Sequence, residues 1–218
     1  MHKSSMLRMR WFVDNYLVNN SYVSVLDVGS YDHNGTYKQI FDEHYERFRY
    51  TGLDMVSGPN VNVVPKNTYK WHELSDESFD VIISGQAFEH IEFFWLTMDE
   101  IVRVLKRGGL ICIVAPREWA YHPAPVDCYR FDIDGMAALA KYEMLEILHT
   151  SCNLAPPGTP SEWYMDNCAD SMLVAKKPED WSGKIDPASY VFTPNDYKAL
   201  TSGFITKDKQ VERSEFGV

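Results

Sequence analysis

Asp27 and Asp54 are the residues from which chemistry can be read first, because each closes a β-rich run beside glycine. The first run, 22–29, ends Val25-Leu26-Asp27-Val28-Gly29 and continues through Ser30-Tyr31-Asp32-His33-Asn34 to Gly35. Gly29 tolerates a positive φ and lets the backbone approach a ligand, and Gly35 opens the next helix. The first amides of a helix favour a negative group such as a carboxylate. Asp27, at the strand end, is placed to meet an amine. Gly52-Leu53-Asp54 closes the second run, where an acid accepts both hydroxyl protons of a ribose, as it does in dinucleotide sites. Two such acids suit a ligand with an ammonium, a sulfonium and a free ribose, and they suit a pyrophosphate poorly. The fingerprint G-x-G-x-x-G is also missing, since Tyr31 stands at the second glycine position.

His90 follows another β-rich run, 78–85, at a place where a side chain can face an acceptor. As a general base it would take a hydroxyl proton during transfer. Next to Glu89 it also reads as a structural pair. His122, Asp127 and Arg130 share a Pro-rich loop at the rim where acceptors enter, and their plainer reading is an ion-paired brace. The aromatic run 88–95 reads as packing rather than as a substrate platform.

Positioning these residues requires strands alternating with helices. Strands are expected at 22–29, 49–54, 61–64, 78–85, 110–115, 144–149 and 171–175. Helical spacing covers 5–19, 36–48, 96–105 and 133–141. The helix at 96–105 is expected to stop on Lys106-Arg107-Gly108-Gly109, a basic last turn followed by glycine. The run 110–115 is nearly all apolar and so should be covered on both faces. The fold class is therefore α/β, a mainly parallel sheet of about seven strands with helices on both faces. Ligands belong beyond the carboxyl ends of its strands. Residues 1–177 form this domain with its N-terminal helix. In the tail, 178–218, Trp181, Tyr190, Phe192 and Tyr197 are expected to pack on the domain or at a homodimer contact.

The 218 residues suffice for one sizeable core, and 45% hydrophobic with 24% charged residues marks a globular chain rather than a disordered one. A net charge of -10 argues against a surface built for nucleic-acid phosphates and against an anionic membrane. Cys112, Cys128, Cys152 and Cys168 form no CxxC pair, so no metal is expected and the thiols read as reduced. No stretch approaches the about 18 apolar residues of a membrane span, and the N-terminus lacks a signal-peptide core. The expectation is a soluble, cytoplasmic protein.

With these residues in place, 25–30 resembles motif I of the class I S-adenosylmethionine-dependent methyltransferases. Gly52-Leu53-Asp54 resembles their acidic second-strand end. The run 78–84 with Phe88-Glu89-His90-Ile91 resembles their fourth strand and its turn, and 105–110 their helix-to-fifth-strand junction. The resemblance spans 22–177. It departs in motif I, where Tyr31 stands near the third glycine and the turn runs on to Gly35. The segment 122–131 is similar to a loop of the type-11-like subset found with polysaccharide and sugar biosynthesis.

The resemblance implies a Rossmann-like sheet with an antiparallel last strand and S-adenosylmethionine as cofactor. Asp27, Gly29, Ser30 and Gly35 would line its methionine end, and Asp54 with Met55 its ribose and adenine. Ser84, Gly85 and Gln86 would pass beneath the methionine and sulfonium. Tyr31, Tyr69 and Trp71 would cover the adenine or, by cation–π attraction, the sulfonium. His90, His122, Asp127 and Arg130 would stand on the acceptor side. The implied reaction is O-methylation of a sugar, glycan intermediate or other small molecule. The alternatives are N-methylation of a small molecule or protein, and a non-catalytic S-adenosylmethionine-binding module. A nucleotide-dependent oxidoreductase is disfavoured by the missing glycines.

Overall fold

The computed structural model describes residues 3–17, 22–44, 46–152 and 169–191. Six strands form one sheet: β1 (Val23–Val28), β2 (Phe48–Leu53), β3 (Phe79–Gly85), β4 (Leu105–Glu118), β5 (Glu146–Cys152) and β6 (Ala169–Lys176). Their order is β2-β1-β3-β4-β6-β5. β1 pairs in parallel with β2 and β3, and β3 with β4. β6 is antiparallel to both β4 and β5, so the last strand in the chain is the reversed one. The helices are α1 (Lys3–Tyr16), α2 (Lys38–Asp42), α3 (Phe94–Val104) and α4 (Ile133–Tyr142).

Alternation along the central strands divides the apolar side chains between two cores. In β4, Ile111, Ile113 and Ala115 face one side with Met98 and Ile101 of α3 and Met136 and Leu139 of α4. Cys112 and Val114 face the other side with Met9, Phe12 and Val13 of α1 and Ile40 and Phe41 of α2. β1, β3 and β6 follow the same rule. This period-two pattern on an apolar strand is what a sheet covered on both faces requires. The Rossmann-like expectation holds.

Four details depart from the expected boundaries. The run 61–64 is not a strand; it keeps one parallel bridge, Leu53↔Val63. Its amides at Asn62 and Val63 both reach Gly52 O, and Pro65, without an N–H, ends the pairing there. The sheet therefore has six strands rather than about seven. The helix expected at 36–48 contracts to α2, because Phe48 already belongs to β2 and packs edge-on against Phe41. The strand expected from Met144 begins at Glu146, after Met144 adopts a left-handed φ of 55°. The N-terminal helix starts at Lys3 and ends at Tyr16, and the expected residues 18–19 lie outside the described residues.

A fifth departure has a clear cause. α3 ends at Val104, and Lys106-Arg107-Gly108-Gly109 is the first stretch of β4, not a helix cap. The cap comes from far along the chain. Buried Lys177 donates through Nζ to Val102 O at 2.9 Å and Leu105 O at 2.8 Å. A cation on the last carbonyls of a helix is favourable. The Lys177 backbone meanwhile accepts from Gly108 N and donates to Gly109 O, across a Gly108 that takes a left-handed φ of 73°.

The described tail residues lie against the domain: Trp181 Nε1 donates to Glu143 O, and Ile185 N to Tyr142 O. Phe192, Tyr197 and Cys168 lie outside the described residues. Among those described, Cys112 and Cys128 are free thiols. No described helix is long and apolar enough to cross a membrane.

Candidate active site

A cavity of about 610 Å³ opens at the carboxyl ends of β1, β2 and β3. That volume lies in the range of small-molecule sites. Asp27, Gly29, Ser30, Tyr31, Gly35, Asp54, Met55, Gly85, Gln86 and His90 are on its wall. Tyr69 and Trp71 line it as well. Ser84, His122, Asp127 and Arg130 do not. Ser84 is buried within the sheet, where its Oγ donates to Val28 O at 2.7 Å and ties β3 to the end of β1.

The glycine turn is shaped by close approach. Gly29 has φ 79°, and a Cβ there would stand 2.4 Å from the Ala87 Cβ. At Gly85 a Cβ would stand 2.1 Å from the Tyr37 hydroxyl. Asn60 locks the turn from outside: its Nδ2 donates to Ser30 O, Thr36 Oγ1 and the Tyr50 hydroxyl. Gln86 holds φ 56°, a strained value for a non-glycine residue, and its Nε2 donates to Asp170 Oδ1 at 3.0 Å. Ser4 of α1 donates to the other oxygen of Asp170, so the start of α1 fixes this corner of the site.

The two acids have different surroundings. Asp54 accepts from Tyr31 N at 3.0 Å and Val56 N at 3.4 Å, which aims its carboxylate at the cavity mouth. Asp27 is buried and accepts from the Tyr50 hydroxyl. Burial pushes its carboxyl up to about 7, against the Tyr50 bond and with a smaller push from the Asp54 charge.

A pH signature follows. Between the unfolded value of about 4 and about 7, the folded state holds a proton that the unfolded state has lost. Stability of the ligand-free protein should fall as pH rises through that window. Affinity for a ligand ammonium should move oppositely, since only the ionised acid attracts it. Titration with S-adenosylhomocysteine at pH 6 and pH 8 should show about tenfold tighter binding at the higher pH. Asp27→Asn should flatten the difference, and an unchanged slope in that variant would show that Asp27 does not meet the amine.

On the opposite wall the 3-10 turn Phe88–His90 carries His90. Its Nδ1 lies 2.5 Å from Val126 O, a carbonyl that can only accept, so Nδ1 carries the proton and Nε2 the lone pair. Burial lowers its pKa below the ordinary histidine value, which keeps the ring neutral near pH 7. His122 stands beside it with ring centroids 5.0 Å apart. Asp127 and Arg130 form a bidentate pair at 2.6 and 2.8 Å. Hydrogen bonding to Arg130 holds the Asp127 carboxyl well below the usual range. Asp127 also accepts from His122 N, and Arg130 reaches Trp119 O and Ala120 O. These two residues shape the loop that presents His122 and have no face on the cavity.

Several site residues escaped the sequence reading. Tyr37 and Tyr50 looked like helix and strand aromatics, yet their hydroxyls meet Ser5 and Asp27 beside the cavity. Asn60 lies between the expected strands 49–54 and 61–64, and its left-handed φ of 67° exists only in the folded chain. Glu89 was read only as the neighbour of His90. It is in fact buried, with neither carboxylate oxygen hydrogen-bonded, and burial pushes its carboxyl up to about 8.

Residues 26–113 match the family model described as a methyltransferase domain. The matched segment runs from β1 into β4 and carries Asp27, Gly29, Asp54 and His90. The fold is similar to that of a Burkholderia thailandensis 1,6-didemethyltoxoflavin-N1-methyltransferase solved with 1,6-didemethyltoxoflavin and S-adenosylhomocysteine. There the TM-score is 0.60 and the identity 15%, over 81% of this chain and 79% of that one. It is also similar to a SAM-dependent methyltransferase from Aquifex aeolicus, with TM-score 0.55 and 15% identity over 81% and 99% of the two chains. A third likeness is to the [4+2]-cyclase SpnF, with TM-score 0.53 and 17% identity over 78% and 80%. No curated protein matches the sequence.

Proposed function

We propose that the protein transfers the methyl group of S-adenosylmethionine to a hydroxyl oxygen of a small molecule, with a sugar or glycan intermediate as the favoured acceptor. The observation that carries the acceptor side is His90, whose neutral ring lines the cavity opposite the two acids and keeps its Nε2 lone pair unprotonated. The sugar preference is supported by the likeness of the 122–131 loop alone.

The residues present fit the cofactor. Asp27 offers an acid for the amine, and Gly29, Ser30 and Gly35 offer a closely approachable backbone for the methionine end. Asp54 offers a fixed carboxylate for the ribose, with Met55 beside it for the adenine. Gly85 and Gln86 form the floor beneath the sulfonium, with Ser84 holding that floor to β1. Tyr31, Tyr69 and Trp71 offer ring faces to the adenine or the sulfonium. When bound, the cofactor supplies an electrophilic methyl carbon. The protein positions the acceptor oxygen in line with it, an effect worth roughly 7–11 kcal/mol in well-oriented systems. His90 takes the hydroxyl proton on Nε2, while Asp127 and Arg130 hold the loop that completes the acceptor side.

Purified protein incubated with S-adenosylmethionine and a panel of nucleotide sugars, short glycans and phenols should release S-adenosylhomocysteine with an oxygen acceptor. His90→Ala should lower that rate by about 100- to 10,000-fold while binding of S-adenosylhomocysteine is kept. Full turnover in the variant would remove His90 from the chemistry. Two rival readings are kept in view by the comparisons. A related fold is an N1-methyltransferase, so product analysis must locate the methyl on oxygen or nitrogen. Another is a [4+2]-cyclase, so binding of the cofactor alone would leave a non-catalytic module standing.

A further inference from the structure

We propose that Glu89, His90 and His122 form a three-ligand site for a divalent transition-metal cation at the acceptor end of the cavity. The inference rests on the methyl-transfer reading and alters one step of it, the fate of the acceptor proton.

Glu89 carries the argument furthest. Its side chain is fully buried, and neither Oε1 nor Oε2 has a hydrogen-bond partner among the described residues. A buried carboxylate left without partners is costly, and native structures rarely keep one unexplained. His90 Nε2 stands 3.6 Å from Oε1 and bears the lone pair rather than the proton. A proton held by the raised Glu89 carboxyl can stand between the two atoms, and a cation that displaces it takes the same place.

His122 supplies the third donor. Its Nδ1 lies 2.9 Å from Ala120 O and 3.3 Å from Asp127 Oδ2, both acceptors, so its Nε2 also carries the lone pair. Carbonyl and carboxylate partners on the far nitrogen are what orient metal-binding imidazoles. One ligand atom from each of the three residues lies within 4.8 Å of the others. Ligands bonded at about 2.1 Å to one ion lie about 4.2 Å apart at most, a distance that a small turn of the partly exposed His122 ring supplies.

The loop that brings His122 to Glu89 is fastened there: Cys128 N and Tyr129 N both donate to Glu89 O. The Arg130–Asp127 pair, which has no place on the cavity wall, holds the same loop from behind.

Two imidazoles and one carboxylate suit a zinc- or manganese-like ion better than magnesium or calcium, and three protein ligands leave positions open. Of the three ligands His90 is on the cavity wall, next to Val126, so an open position on its side reaches the cavity. An acceptor hydroxyl ligating there is acidified and gives its proton to solvent water at the loop rim. The oxygen electron pair then forms the bond to the methyl carbon as the carbon–sulfur bond breaks, and the sulfur keeps that pair as a neutral thioether. In the loaded protein His90 is a ligand, and the cation replaces it as the agent that deprotonates the acceptor.

Chelator-stripped full-length protein titrated calorimetrically with manganese chloride and with zinc chloride tests this without an acceptor. One ion per chain is expected. Glu89→Gln and His122→Ala should each weaken binding by more than about 100-fold, beyond the about 10- to 100-fold expected for the outer partner in Asp127→Asn. The thermal shift with S-adenosylhomocysteine should persist in His122→Ala, whose partly exposed ring makes it the variant to rely on should Glu89→Gln fail to fold. A protein that binds S-adenosylhomocysteine but no ion overturns the metal site and leaves His90 as the base. Ion affinity unchanged in His122→Ala overturns it also. A protein that binds neither ligand overturns the methyl-transfer reading with it.

Discussion

Glu100→Ala should destabilise the protein by about 3–5 kcal/mol, the cost of breaking a buried ion pair from one side. Glu100 lies on α3 with its side chain only 1% exposed. One oxygen accepts from Trp71 N at 2.8 Å, and Arg103 and Lys70 complete the shell at 2.7 and 3.0 Å. Removing the carboxylate orphans the Trp71 amide and leaves the Arg103 guanidinium with Asp76 as its remaining acid. For a chain of this size the loss corresponds to a fall of about 6–20 °C in the unfolding midpoint. Trp71 lines the cavity, so ligand affinity should weaken with it.

The pH dependence sharpens this prediction. Burial pushes the Glu100 carboxyl up, but hydrogen bonds from Arg103, the Trp71 amide and Lys70 outweigh it and bring the group to about 2. A carboxyl lowered on folding contributes stability above its unfolded value of about 4.3, and that stability is lost as pH falls towards about 2. Chemical denaturation of wild type and Glu100→Ala at pH 7 and pH 3 should therefore show the gap narrowing in acid. A gap below about 1 kcal/mol at pH 7 would show that the network contributes no more than surface pairs do.

Asp54→Ala should weaken S-adenosylhomocysteine binding by about 10- to 150-fold, the equivalent of about 1.5–3 kcal/mol for hydrogen bonds to a charged group. The carboxylate is held at the cavity mouth by the Tyr31 and Val56 amides, so its aim needs no reorganisation on binding. The folded state should change little, because Val56 is exposed and Tyr31 is only partly covered. Calorimetric titration separates the two effects. Unchanged affinity would mean that the ribose is held elsewhere and that the pairing of the two acids has misled.

Much of this fold is legible in the sequence because it is carried by local patterns. The apolar runs around Val25, Ile82 and Ile113 alternate between two cores, and a strand buried on both faces needs that composition. Asp27, Gly29 and Asp54 are legible for the same reason, since strand ends and glycine turns are local features. What escaped is long-range. Lys177 caps α3 across the chain, so the glycine pair at 108–109 looked like a helix stop when it begins β4. The run 61–64 has strand residues but only an edge position and Pro65, so pairing never propagates. Glu89 carries no sequence mark of its orphaned carboxylate; burial and the approach of His122 exist only after the 122–130 loop has folded back. Tyr50 is equally silent, because a strand tyrosine pointing at Asp27 is indistinguishable in sequence from one that packs outward.

The central claim, that this cavity holds S-adenosylmethionine, is tested most directly by thermal unfolding of the full chain with S-adenosylmethionine, S-adenosylhomocysteine, NAD or no ligand. At about 100 times its dissociation constant a bound ligand should add about 2.7 kcal/mol, a rise of about 5–11 °C for a chain of this size. The account predicts that rise with both adenosyl sulfur compounds and none with NAD. A midpoint unmoved by either of them, or moved by NAD alone, would contradict it.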